Sequence, residues 1–206
     1  IPPAGVSISS RSYAVYGFHS SRLTAYSNEL SFNVLPFYSP LVVPDGSVES
    51  PAAVDSAFSG GYVSYAFSLT NGGNDPGSSR LSLRLLNPSD FSFSSRQIYL
   101  DEDGDGAVDP GEQVITSVGP MAAGETAALV VTAMLPSGLS GGEAAHLNLS
   151  AVSESDTSRS DRNNVVRALA RQEAHIPLHL SADRQEAMPG DTVRFTIDFS
   201  NTGSRA

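Results

Sequence analysis

The chain contains no cysteine and no tryptophan, and its twelve basic residues are all arginine. Without cysteine, no disulfide can staple the fold and no thiol can act as nucleophile or soft metal ligand. No apolar run approaches the roughly 20 residues that a transmembrane helix needs, so no membrane span is expected. A formal net charge of −10 leaves little basic surface. That argues against nucleic-acid binding, which draws its affinity from phosphate neutralisation. Long helical periodicities are missing as well. Ile1-Pro2-Pro3 has neither the basic start nor the apolar centre of a signal peptide. The expectation is that a leader has been removed or that the chain is a fragment.

What the chain does have is acid in one place. Asp101-Glu102-Asp103-Gly104-Asp105-Gly106-Ala107-Val108-Asp109-Pro110-Gly111-Glu112 matches a twelve-residue calcium loop. Calcium takes six to eight oxygen ligands, and such a loop supplies them from positions 1, 3, 5, 7, 9 and 12. Asp101, Asp103 and Asp105 fill 1, 3 and 5, and Gly106 makes the sharp turn at 6. Ala107 at 7 offers its carbonyl. Asp109 at 9 acts directly or through water, and Glu112 at 12 has the reach for bidentate binding. Val108 is expected to pin the loop to the body of the domain. So many carboxylates on one turn repel each other unless a cation neutralises them. The expected metal ligands are therefore Asp101, Asp103, Asp105, Ala107, Asp109 and Glu112, and the expected ion is Ca2+.

The flanks are not those of an EF-hand, which sets a helix on each side. Ser94–Leu100 reads as a strand, and Gln113–Val118 is rich in β-branched residues before Gly119-Pro120. The loop thus lies between β-elements, where an ion would rigidify a long connection.

Strand signals dominate elsewhere. Val6 and Ile8 with Tyr13 and Val15 predict one strand, and Leu30, Phe32 and Val34 a second beyond a turn at Gly17–Ser21. Leu41-Val42-Val43 starts another, and Pro44–Ser59 reads as a polar connection. Val63, Tyr65, Phe67 and Leu69 alternate with Ser64, Ala66, Ser68 and Thr70, ending at the turn Asn71-Gly72-Gly73-Asn74. Further strands are expected at Leu81–Leu85, from Phe91 and Phe93, at Ile98–Leu100, at Ala127–Leu135, at Leu147–Ala151 and from Val165. Gly119–Glu125 reads as a turn and Ser153–Asn164 as a polar loop.

The chain also repeats itself. Gly60–Gly73 matches Gly190–Gly203 at an offset of 130 residues, from 60 to 190. Apolar positions coincide: Val63 with Val193, Tyr65 with Phe195, Phe67 with Ile197, Leu69 with Phe199. Leu178-His179-Leu180 echoes Leu41-Val42-Val43, and Ser27–Leu30 resembles Asn163–Val166. The expected organisation is the C-terminal strands of one unit over 1–40, a complete unit over 41–174, and the N-terminal strands of another over 175–206. The fold class that follows is all-β: an immunoglobulin-like β-sandwich repeat with partial flanking repeats.

Gly190-Asp191-Thr192, the alternating strand after it and Asn201-Thr202-Gly203 resemble the opening of the bacterial conserved-repeat sandwiches of the domain-of-unknown-function eleven type. The strand, acidic loop and strand around Asp101–Glu112 and Gly124-Glu125-Thr126 share that resemblance. Gly60-Gly61-Tyr62 departs from it, standing where Gly-Asp-Thr is expected. The resemblance implies a secreted or surface-anchored, multi-repeat protein of structural or adhesive kind.

No catalytic constellation is visible, so no enzymatic role is expected. His19, His146, His175 and His179 lack metal spacing, apart from the four-residue step between His175 and His179, which Pro177 interrupts. No serine sits in a nucleophile elbow. Asp156, Asp161 and Arg162 read as a solvated loop. Asn148-Leu149-Ser150 is a glycosylation sequon inside an expected strand. The expected function is a calcium-stabilised structural repeat of an extracellular or cell-surface protein: a stalk, surface layer or filament subunit. Its expected partners are other copies of itself or neighbouring repeats, through strand edges left open at the ends. The alternatives are a calcium-dependent adhesin that binds surface glycans or proteins, and an accessory domain of a secreted enzyme.

Overall fold

The computed structural model describes residues 1–172 and 178–200. His175 and Asn201–Gly203 lie outside the described residues.

The N-terminal segment forms β1 (Ser7–Ser10), β2 (Tyr13–Phe18), β3 (Ser21–Tyr26) and β4 (Leu30–Asn33). β2 and β3 pair antiparallel around a two-residue turn, and β1 pairs with β4 beyond them. The single strand expected over Val6–Val15 is therefore two. A further strand, β3, occupies residues whose side chains alternate too weakly to announce it. His19 sits in the hairpin turn with φ of 55°.

The central unit is built from β5 (Pro40–Val43), β6 (Val54–Ala57), β7 (Tyr62–Asn71), β8 (Gly77–Leu86), β9 (Ser95–Asp101), β10 (Ser117–Met121), β11 (Thr126–Met134), β12 (Ala144–Ser153) and β13 (Ser160–Ala170). They make two facing sheets, one ordered β5-β7-β11-β9 and the other β10-β8-β12-β13-β6. The alternation read in β7 buries Val63, Tyr65, Phe67 and Leu69. β11 lies beside it in unbroken register from Thr126↔Thr70 to Met134↔Tyr62. Opposite stand Leu147, Leu149, Ala151, Val166 and Ala168 in the same core. Each fully buried aliphatic side chain contributes about 1.5–3 kcal/mol by leaving water. This two-layer arrangement is the expected all-β, immunoglobulin-like sandwich.

Local expectations fail where long-range pairing takes over. The connection Pro44–Ser59 holds β6, which pairs parallel with β13 through Arg167↔Val54 to Ala170↔Ala57. Gly46 opens this crossing: a Cβ there would overlap the Ala52 amide nitrogen and the Val165 carbonyl oxygen. Phe91 and Phe93 belong to no strand. They plug the core as an edge-to-face pair with ring centroids 5.4 Å apart. Gly119-Pro120 lies within β10, which crosses over to the edge of β8. The polar loop is shorter than expected, since β13 begins at Ser160.

Two further strands, β14 (Leu178–Ala182) and β15 (Phe195–Phe199), form a separate antiparallel hairpin. Its register pairs Leu178 with Phe199. In the sandwich, Val42 of β5 pairs with Leu69, the counterpart of Phe199. Leu178 therefore corresponds to Val42, one residue away from the correspondence read in the sequence.

Candidate metal centre

The acidic loop leaves β9 at its last residue, Asp101, which pairs with Ala128 of β11 and is buried. The base is closed by backbone pairing: the Leu100 amide donates to the Gln113 carbonyl at 3.1 Å and the Ile115 amide to the Ile98 carbonyl at 2.8 Å. Ile98 is a core residue, so the loop's foundation is anchored in the sandwich.

Two glycines with positive φ, Gly104 at 76° and Gly106 at 80°, turn the chain tightly above this base. That curvature lets one carboxylate collect two amides. Asp101 Oδ1 accepts from Gly104 N at 2.7 Å and Oδ2 from Gly106 N at 3.0 Å. Asp103 Oδ1 accepts from Asp105 N at 3.3 Å, and Asp105 Oδ1 from Ala107 N at 2.7 Å. The result is convergence: ligand oxygens of Asp101, Asp103 and Asp105 lie within 4.8 Å of one another.

The other three expected ligands lie outside this trio. Glu112 folds back across the loop, its Oε1 accepting from Glu102 N at 3.3 Å and its Oε2 from Asp109 N at 3.1 Å. Ala107 enters through its amide, as above. Asp109 feels the whole cluster. Its carboxyl is held above the ordinary carboxylate range chiefly by the charge of Asp105, then by desolvation and by Asp103, Glu112 and Asp101. Asp101, Asp103 and Asp105 thus address a common space, and the repulsion they share with Asp109 is what a cation would relieve. The donor set is all oxygen, as calcium prefers.

Val108 does not pin the loop; it is 39% exposed. Gly106 seats it instead, against the outer face of β7, where a Cβ on Gly106 would come 3.3 Å from Ala66 Cβ. The small side chain at the neighbouring position of β7 allows that approach.

The remaining polar candidates have structural partners. His146 is buried, its Nδ1 2.7 Å from the Pro88 carbonyl. His179 is exposed on β14, opposite Asp198. Asn148 of the sequon is buried; its amide donates to Arg162 O at 2.8 Å, and its Oδ1 accepts from Asn164 N at 2.9 Å. Asp156 caps the tip of the β12–β13 hairpin through Ser158. Asp161 is more than a solvated loop residue: it accepts from the Val42 amide at 2.9 Å and from Asn164 Nδ2 at 2.9 Å, tying β5 to β13.

Sequence reasoning missed Asn74. Its side chain is buried at the foot of the N-terminal segment and donates to the carbonyls of Pro2 and Leu35, both at 3.1 Å. In the sequence it is one of four turn-forming residues, and nothing local distinguishes it.

No family model and no curated protein matches the chain. Among solved structures, the chain is similar to the ASH/PapD-like domain 7 of human CEP192, with 11% identity, a TM-score of 0.33, and coverage of 64% of this chain and 84% of that one. It is also similar to the class 5 fimbriae chaperone CfaA, with 12% identity, a TM-score of 0.34, and coverage of 81% and 68%. A third is a family 123 glycoside hydrolase from Clostridium perfringens, with 8% identity, a TM-score of 0.39, and coverage of 66% of this chain and 27% of the hydrolase. Likenesses this distant carry no functional argument.

Proposed function

We propose that this chain is a structural module of an extracellular or cell-surface protein built from repeated sandwiches, and that calcium braces its longest connection. The observation that carries this reading is the convergence of Asp101, Asp103 and Asp105 on a loop rooted in the core strand β9. Asp101, Asp103, Asp105, Asp109 and Glu112 would hold the ion through side-chain oxygens, and Ala107 through its carbonyl. The ion would supply charge neutralisation and cross-linking of the loop, with no chemical step. Repetition within the chain supports the multi-unit part, and the reading includes no catalytic role. Its partner class is other copies of the chain or neighbouring repeats. No helix among the described residues is long and apolar enough to cross a membrane.

Isothermal titration of the chelator-treated chain with Ca2+ tests the ion. A single saturable site that Asp101→Ala removes is the expected result. No heat of binding, with an unchanged melting curve, would overturn it. A glycan array with and without calcium separates bracing from lectin-like recognition.

A further inference from the structure

The outer face of the sheet that contains β8, β12 and β13 carries a groove of about 430 Å3 that the metal reading does not use. Arg84 stands on β8 opposite Asn148 of β12, and Arg162 stands on β13, on the far side of that strand. A bulge aims Arg162 there. Leu149 pairs with Asn164 and Ala151 with Asp161, so two residues, Arg162 and Asn163, face the single Ser150. Asn164 is buried and Asp161 turns inward to the Val42 amide, which leaves Arg162 to the outer face. The two arginine backbones lie two strand spacings apart, about 10 Å. Both side chains line the one groove.

Among the described residues neither guanidinium has a partner. The ion pairs belong to Arg159 and Arg184, and neither Arg84 nor Arg162 donates a side-chain hydrogen bond. No carboxylate lines the groove, although the chain carries a net charge of −10. Its floor is fixed. Asn148 is 5% exposed; its amide donates to the Arg162 carbonyl at 2.8 Å and to Ser150 Oγ at 3.2 Å, and its Oδ1 accepts from Asn164 N. The Ser150 hydroxyl accepts that bond, so its own proton remains to be donated, and Ser82 adds a second hydroxyl. Leu86 and Val152 bound the two ends.

Two unpaired guanidiniums over a rigid polar floor suit an oxyanion, which a guanidinium grips through two parallel hydrogen bonds. Three features choose the molecule that bears it. β12 is paired on both sides, so the floor offers no open backbone for an extended peptide. No aromatic side chain lines the groove to stack a base, and the net charge repels a long polyanion. The Ser82 and Ser150 hydroxyls and the apolar ends match the hydroxyls and C–H faces of a sugar ring. We propose that this groove binds a short acidic saccharide, its carboxylate or sulfate ester bridging Arg84 and Arg162. The site adds a ligand to the structural module proposed above. It needs no calcium, since the acidic loop leaves β9 of the other sheet.

Nuclear magnetic resonance titration of the full chain in chelator tests this. The probes are tetrasaccharides bearing glucuronate, a sulfate ester or no charge, and inorganic sulfate at equal ionic strength. The glucuronate or the sulfated tetrasaccharide should shift the Arg84 and Arg162 Nε–H signals and the Ser82 and Ser150 amides, and whichever does so names the oxyanion. Arg84→Gln or Arg162→Gln should weaken binding about tenfold or more. Arg96→Gln removes the same charge from β9, in the other sheet, and should leave binding unchanged. Arg84 and Arg162 are exposed, so their glutamine variants should melt with the wild type. Binding of neither acidic saccharide, equal binding of the neutral one, inorganic sulfate that binds as tightly, or an equal loss in Arg96→Gln would each overturn the proposal. So would binding that appears only when calcium is added. Calcium titration of the same sample reports separately on the metal reading.

Discussion

Asn74 and Phe37 are joined by two hydrogen bonds of opposite sense. The Phe37 amide donates to Asn74 Oδ1 at 2.6 Å, and the Asn74 amide donates to the Phe37 carbonyl at 2.9 Å. With the contacts to Pro2 and Leu35, Asn74 thereby fastens both ends of the N-terminal segment to the β7–β8 turn. Asn74→Ala should cost about 1–3 kcal/mol, because partners in a buried site lose their bonds. Amide hydrogen exchange should accelerate at Phe37 and Ala4 while the β7–β11 ladder stays protected. Unchanged exchange at Phe37 would show that Asn74 holds nothing.

Calcium should raise the melting temperature of the chelated protein. At a hundredfold excess over Kd the stabilisation is about 2.7 kcal/mol. For a chain of this size that is worth roughly 2–4 °C per kcal/mol. Asp101→Ala should abolish the shift and also lower the calcium-free melting point, since it strips the acceptors of the Gly104 and Gly106 amides. Glu112→Gln keeps an amide-oxygen acceptor and removes a charge, so it should weaken the shift with a smaller effect on the calcium-free form. Differential scanning fluorimetry reads all three.

The stabilisation by calcium should weaken in acid. The Asp109 carboxyl is raised in the folded, metal-free loop, so the folded state holds that proton more tightly than the unfolded chain does. Its contribution to metal-free stability therefore falls as pH rises through the carboxylate range and recovers on acidification. Calcium needs the ionised carboxylates, so its stabilisation grows over the same window. The gap between melting temperatures with calcium and with chelator should narrow as pH drops from about 6 to about 3.5. Asp156, Glu143 and Glu49 have carboxyls lowered mainly by hydrogen bonds, and acid removes their contribution in both arms alike. A gap that widens in acid would contradict the assignment.

Two truncations of large apolar side chains should behave very differently. Leu129→Ala, at the centre of β11 with 0% exposure, should cost about 2–5 kcal/mol through lost burial and a cavity. Phe199→Ala, on the open hairpin face, should leave the sandwich transition within about 0.5 kcal/mol under dilute conditions. Urea denaturation of both variants checks the contrast.

The sandwich and its acidic loop were legible in the sequence because both are local codes. Period-two alternation marks Val63–Leu69 as a strand with one buried face, and twelve consecutive residues carry the whole set of proposed donors from Asp101 to Glu112. The matched turns at Gly60 and Gly190, both with positive φ, were legible for the same reason. What the tertiary structure decided depends on partners far along the chain. Val42 meets Asp161 across 119 residues, and Phe37 meets Asn74 across 37. β6 owes its strand form to β13, and Phe91 and Phe93 are core residues without being strand residues. The loop is seated by Gly106 on Ala66, where local reading favoured Val108. A side chain's own neighbours set its backbone preference, whereas the groups that satisfy its polar atoms or exclude water from it are chosen only when distant segments meet.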